Sequence, residues 1–345
     1  MDGFFPVTWQ TRDMTTSSCR DPERVPAMAR HLPARVGVGS PAVRKLALSA
    51  LLLALITVAA GCKQVPTQGA VPASPAACTA PQPAPTGPIT ITSGGLQRTY
   101  LLALPNPLPT TPAPVIVNLH GAGSNKEQQA VYSTLATKGP ARGFIVVTPD
   151  ATGQPRQWNI IGETKSDDVK FIDDLLVDLA GRACVDPSRL YAAGLSSGAA
   201  MSSLLGCKEG DRFRAIAPVA GVLFFEPTCA GPPVSVIAFH GTRDPIVPYD
   251  GGPIFGAGGV SYPGVDPAMA GWAERAGCAS PPETTQVSAH VTLEKWPACH
   301  AGTTVELYTV DGGGHTWPGA FPVPLLGPTT SEINATDIIL DAFSR

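Results

Sequence analysis

Three residues in this chain carry side chains that together could move an acyl group: Ser196, Asp244 and His315. A serine hydroxyl is a weak nucleophile at neutral pH. It attacks a carbonyl when a histidine takes its proton, and the histidine works when a carboxylate holds its tautomer. Ser196 stands at the centre of Gly194-Leu195-Ser196-Ser197-Gly198, a G-x-S-x-G pattern. The apolar run Arg189–Ala193 before it suits a buried strand, and the small residues Ala199–Leu205 after it suit a helix. Strand, tight turn and helix form the setting that exposes a nucleophilic serine at a helix N-terminus. The pattern taken alone is common, so the rest of the chain has to supply the partners.

It supplies them in order. Val115–Leu119 reads as a strand buried on both faces and runs into His120-Gly121-Ala122-Gly123-Ser124. A loop there can aim a backbone N–H at a developing oxyanion, and Ala122 with Ser197 would be the two donors. His120 reads as structural, bonded beneath that loop. Phe144–Pro149 is the next strand, and Trp158 in the loop beyond it could line a substrate pocket. Asp167 and Asp168 precede apolar residues at helical spacing and read as N-terminal helix charges. Ala215–Gly221 and Val234–Phe239 are further strands, and Asp244 lies just past the second, where a triad acid belongs. Glu306–Val310 is a late strand followed by Gly312-Gly313-Gly314-His315-Thr316-Trp317. The glycines free His315 to reach the serine, and Trp317 is a second pocket candidate. His290 and His300 lack such a setting and read as surface residues. Asn334–Phe343 closes the chain as a helix. Serine, acid, histidine is the order of the α/β-hydrolases, and it differs from that of the chymotrypsin and subtilisin types. The expected fold is therefore α/β, with a mostly parallel central sheet and helices on both faces.

These motifs, with Asp168-Val169 and Phe171, Val185-Asp186-Pro187 and Arg189, Ala217-Pro218-Val219-Ala220-Gly221, His240-Gly241 with Asp244 and Val247-Pro248-Tyr249, and Gly314-His315-Thr316-Trp317-Pro318-Gly319, resemble a known family. It is that of the secreted polyhydroxybutyrate depolymerases and feruloyl esterases, nearest its lipid-anchored, LpqC-like members. The resemblance covers about residues 89–345. It implies an α/β-hydrolase fold, carboxylic-ester hydrolysis, and Ser196, Asp244 and His315 as nucleophile, acid and base. Many members have Asn-Gly-Gly after the nucleophile, where this chain has Ser197-Gly198-Ala199. The backbone donor is unaffected, while the shape of the pocket changes. The family spans polyester, feruloyl-polysaccharide and acetyl-ester substrates, so the likeness does not choose among them.

Composition bounds the rest. The chain has 345 residues, 43% hydrophobic, with a net charge of -3 and no basic stripe, which speaks against a nucleic-acid partner. Residues 1–61 read as an N-terminal extension and an export signal. Met28 fits as a start, and Leu46–Ala60 is an apolar run too short for a membrane span. Ala59-Ala60-Gly61-Cys62 resembles a lipobox, so Cys62 is a candidate lipid anchor to the membrane; an ordinary secretory signal cut near Ala60 is the alternative. Residues 62–88, rich in Pro and Ala, read as a spacer, and residues 89–345 as the catalytic domain. Eight cysteines suggest an oxidising compartment. Cys278 with Cys299 would close a short loop, worth about 3 kcal/mol in the chain-entropy model. Cys207 with Cys229 would join two segments ending at the sheet's bottom. No Cys or His spacing suggests zinc, and no cofactor or metal is expected. Two other readings remain open: a serine peptidase on the same fold, and a catalytically inactive cell-surface binding protein.

Overall fold

The computed structural model describes residues 85, 87–160, 166–225, 229, 231–256 and 259–345. The export signal and Cys62 lie outside the described residues. The chain begins with a hairpin, β1 (Ile89–Ser93) and β2 (Leu96–Ala103), followed by β3 (Ala113–Leu119). Helices α1 (Lys126–Ser133) and α2 (Leu135–Ala141) lead to β4 (Ile145–Pro149). Then come α3 (Asp168–Ala180), β5 (Val185–Leu195), α4 (Ser197–Lys208), β6 (Phe213–Val219) and β7 (Ser235–Gly241). A small hairpin, β8 (Gly252–Pro253) with β9 (Ser261–Tyr262), precedes α5 (Val265–Arg275). The chain finishes with β10 (Glu283–Ser288), β11 (Val291–Trp296), β12 (Val305–Val310) and α6 (Ala335–Phe343).

Among the described residues one sheet holds ten strands in the order β1-β2-β4-β3-β5-β6-β7-β12-β11-β10. Its centre, from β4 to β12, is parallel, and both edges are antiparallel. Successive side chains of a strand point to opposite faces. Val115, Val117 and Leu119 of β3 join one apolar core with Phe171 and Leu175 of α3, Met201 and Leu205 of α4 and Trp272 of α5. Ile116 joins the other, with Tyr132 of α1, Leu135 of α2 and Ile339, Leu340 and Phe343 of α6. Burial on both faces explains why the central strands read as unbroken apolar runs. The expected α/β layering, helices on both faces of a mostly parallel sheet, is the one found.

The sequence reading passed over β10 and β11. Every residue of Glu283–Val287 is exposed, so this edge strand carries no apolar signal to read. Asp167 caps α3, accepting from Lys170 N at 2.9 Å, and Asn334 caps α6. Cys207 is joined to Cys229, and Cys278 to Cys299; Cys184 is disulfide-bonded as well. Among the described residues no helix is long and apolar enough to cross a membrane.

Candidate active site

Ser196 sits where β5 turns into α4, with φ 58° and ψ -120°. A non-glycine residue at positive φ is strained by ~1–3 kcal/mol, and the surroundings must hold it. Here Ser196 N donates to Val219 O at 2.9 Å, and the turn leans on the neighbouring backbone. A Cβ at Gly198 would lie 2.3 Å from Leu119 O, so glycine is required for α4 to pass the end of β3. A Cβ at Gly121 would come within 3.3 Å of Ser196 Cβ, which places the loop after β3 directly against the serine.

That loop carries Ala122, which is exposed. Among the described residues neither Ala122 N–H nor Ser197 N–H is spent on an acceptor. Two free amides flank the serine, and one of them is the first of a helix, at its positive end. The loop is held from below. Ala151 N donates to His120 Nε2 at 3.0 Å, so the His120 proton is on Nδ1 and donates to Gly121 O at 2.7 Å. Burial pushes the His120 imidazole below its ordinary value. Trp158 Nε1 donates to His120 O at 2.8 Å, and Gly123 N to Arg156 O.

The tryptophans need correcting against the expectation that they line a pocket. Each is 1% exposed. Trp158 lies under the loop after β3, and Trp317 Nε1 donates to Thr336 Oγ1 at 2.9 Å, inside the α1–α6 packing. A large ring with one polar atom is stable when buried with that atom satisfied, and both are. Both therefore sit inside the packing around these loops.

A buried ion pair braces the same loop. Asp168 accepts from Asn159 N at 2.7 Å, next to Trp158, and its other oxygen lies 2.7 Å from Arg98 Nη2 as an ion pair without hydrogen-bond alignment. Arg98 also donates to Asp150 O and lies 3.7 Å over the Phe171 ring. Arg98→Met leaves a carboxylate buried without its counter-charge. The expected loss is about 3–5 kcal/mol of folding stability, measured by urea unfolding, with a smaller loss of activity in the protein that stays folded.

Asp244 follows β7 and is buried. Its Oδ1 accepts from Ile246 N and Val247 N, each at 2.8 Å. Its Oδ2 accepts from His315 Nδ1 at 2.7 Å and faces His240 Nε2 at 3.3 Å. Burial alone would raise this carboxyl, but the two imidazoles outweigh it and hold Asp244 well below the usual carboxylate range. A carboxylate only accepts, so His315 donates from Nδ1 and keeps a lone pair on Nε2. His315 N donates to Leu326 O at 2.6 Å. Two residues on, Trp317 N reaches Tyr132 Oη of α1 at 3.5 Å. The segment therefore ties the loop after β12 to α1. Asp244 and His315 are brought into contact; Ser196 Oγ makes no hydrogen bond among the described residues. Sequence reasoning left out the role of His240, Asp168 and Arg98; only the side-chain contacts reveal it.

A parallel sheet flanked by helices, with a strained serine between β5 and α4, an acid after β7 and a histidine after β12, defines an α/β-hydrolase. The family model "Esterase PHB depolymerase" matches residues 98–292, more than half of the chain. The chain belongs to that family, a family of carboxylic ester hydrolases, and is an esterase. Feruloyl esterase B of Piromyces equi is 33% identical over 214 residues, 59% of this chain and 39% of its own length. The match thus spans well under half of that relative. The NocK protein of Nocardia uniformis subsp. tsuyamanensis is 29% identical, covering 85% of this chain and 96% of its own. Among solved structures, an acetyl xylan esterase from Aspergillus awamori superposes with a TM-score of 0.52 at 17% identity, over 67% of this chain and 94% of that one.

Proposed function

We propose that this chain is an exported serine esterase in which Ser196 is the nucleophile, His315 the base and Asp244 the acid. The observation that carries the reading is the Asp244–His315 hydrogen bond of 2.7 Å, which leaves Nε2 free to take a proton, set beside an elbow serine flanked by two unspent amides. Ser196 Oγ attacks the ester carbonyl as His315 Nε2 takes its proton. The carbonyl oxygen, now negative, is met by Ala122 and Ser197 N–H. His315 returns the proton to the departing alkoxide, leaving an acyl-serine. It then takes a proton from water as the water oxygen attacks the acyl carbon, and gives that proton to Ser196 Oγ as the bond between Oγ and the acyl carbon breaks and the acid leaves. No metal or cofactor enters this sequence.

Export is supported by the disulfides and by the apolar signal before Cys62, with Cys62 as the lipid anchor. The relatives named as feruloyl and acetyl xylan esterases support esters borne on polysaccharide, and the family's description supports polyesters. The test is a panel of methyl ferulate, acetyl esters and hydroxybutyrate oligomers given to residues 63–345. Turnover of at least one of them is expected, and the preferred ester assigns the class. A folded protein that turns over none of them, or that cleaves a matched amide faster, overturns the reading.

A further inference from the structure

His240 is the last residue but one of β7, completely buried, and the reaction just described gives it no task. Its surroundings are specific. Nε2 lies 2.9 Å from Val247 O and 3.3 Å from Asp244 Oδ2. Nδ1 is buried and has no partner. Both atoms near Nε2 are acceptors, so the ring proton belongs there, and an Nδ1–H would point at nothing. The ring is fixed between two tyrosines. It lies parallel to Tyr262, with ring centres 6.2 Å apart, and edge-on to Tyr249 at 5.8 Å. Tyr262 is itself anchored to Val222 O, and Tyr249 to Asp266 and Thr309.

We propose that His240 is a positioning residue for ester hydrolysis: its Nε2–H, shared between Val247 O and Asp244 Oδ2, fixes the carboxylate so that Oδ2 faces His315 Nδ1. The inference rests on Ser196, Asp244 and His315 being the catalytic set. The backbone donors Ile246 N and Val247 N grip Oδ1 alone and leave Oδ2 free to swing about that grip. A second donor on Oδ2, from a ring that cannot turn, removes the swing. It also draws electron density from the oxygen that steadies His315 when that ring becomes positive. The titratable groups facing this spot are Asp244, His315, Tyr249, Tyr262 and, through Tyr249, Asp266; Arg243 is exposed on the turn.

Two size-matched variants test it. In His240→Gln the amide nitrogen can stand where Nε2 stood; in His240→Asn it stands near Nδ1, where the native ring has no partner. With a small ester, His240→Asn is expected to lower kcat roughly 10- to 100-fold with KM little changed. Its acidic limb of kcat/KM should move to higher pH, because an Asp244 oxygen stripped of one donor supports a protonated His315 more strongly. His240→Gln is expected to recover most of both. Equal kcat and an unmoved acidic limb in both variants, beside a lowered melting temperature, would reduce His240 to a packing residue. Should neither variant fold, long-range proton–nitrogen correlation spectra of the wild-type protein decide: an Nε2–H tautomer supports the proposal and an Nδ1–H tautomer overturns it. A Ser196→Ala control that keeps its activity would instead sink the catalytic reading beneath it.

Discussion

Ser196→Ala should give a protein that folds as the wild type does and turns over no measurable ester. Both halves of that expectation follow from the elbow. Alanine has a Cβ, as serine does, so the strain at φ 58° is unchanged, and Ser196 Oγ makes no hydrogen bond whose loss would cost stability. Melting temperature should stay within about a degree or two, since a change that removes no packing or bond is worth under about 0.5 kcal/mol. The chemical effect is large because alanine has no hydroxyl with which to form the acyl intermediate. In serine hydrolases loss of the nucleophile lowers kcat by roughly 10⁶, leaving what the oxyanion donors and binding supply on their own. Covalent labelling by a fluorophosphonate should disappear with it. A variant that retains a tenth of its turnover would place the nucleophile elsewhere and dismantle the mechanism.

What could be read from the sequence, and what could not, divides along a physical line. The parallel strands were legible because burial on both faces leaves an unbroken apolar run, as in Val115–Leu119 and Ile145–Val147. Ser196, Asp244 and His315 were nameable because each lies in the loop that follows such a strand. In a parallel sheet all strand ends of one kind lie along one edge, where loops far apart in sequence can meet, as those of Asp244 and His315 do. The edge strand Glu283–Ser288 was not legible, since it buries nothing. The two tryptophans show a different failure. A Trp in a loop beside a catalytic residue reads equally well as a wall of the pocket or as a beam beneath it. Only the partner of its one N–H decides: His120 O for Trp158 and Thr336 Oγ1 for Trp317. Likewise Asp168 looked like one of two helix-end charges. Asp167 does that work, while Asp168 turns inward to Arg98, 70 residues earlier in the chain, a pairing that no local pattern announces.

Asp244→Asn should also cost turnover heavily, though less than loss of the serine, and it changes only one atom. Four N–H groups converge on the Asp244 carboxylate: Ile246 N, Val247 N, His315 Nδ1 and His240 Nε2. A carboxylate offers two accepting oxygens, and an amide offers one. If the Asn oxygen keeps the two backbone donors, its NH₂ faces the imidazoles. His315 then escapes the clash of two donors by moving its proton to Nε2. In that tautomer the nitrogen nearest Ser196 holds a proton already and cannot take another. A loss of about 10⁴ in kcat is expected, the size seen when a triad acid is made an amide elsewhere. Stability should respond as well, with a sign that pH reveals. The native Asp244 carboxyl sits well below its unfolded value, so it stabilises the fold fully above about pH 4 and loses that contribution as pH falls through the native value. The stability gap between wild type and Asp244→Asn, measured by urea unfolding, should therefore be widest near neutrality and shrink below pH ~4. A gap that stays constant down to strong acid would mean that the carboxylate's charge is not what His240 and His315 hold in place.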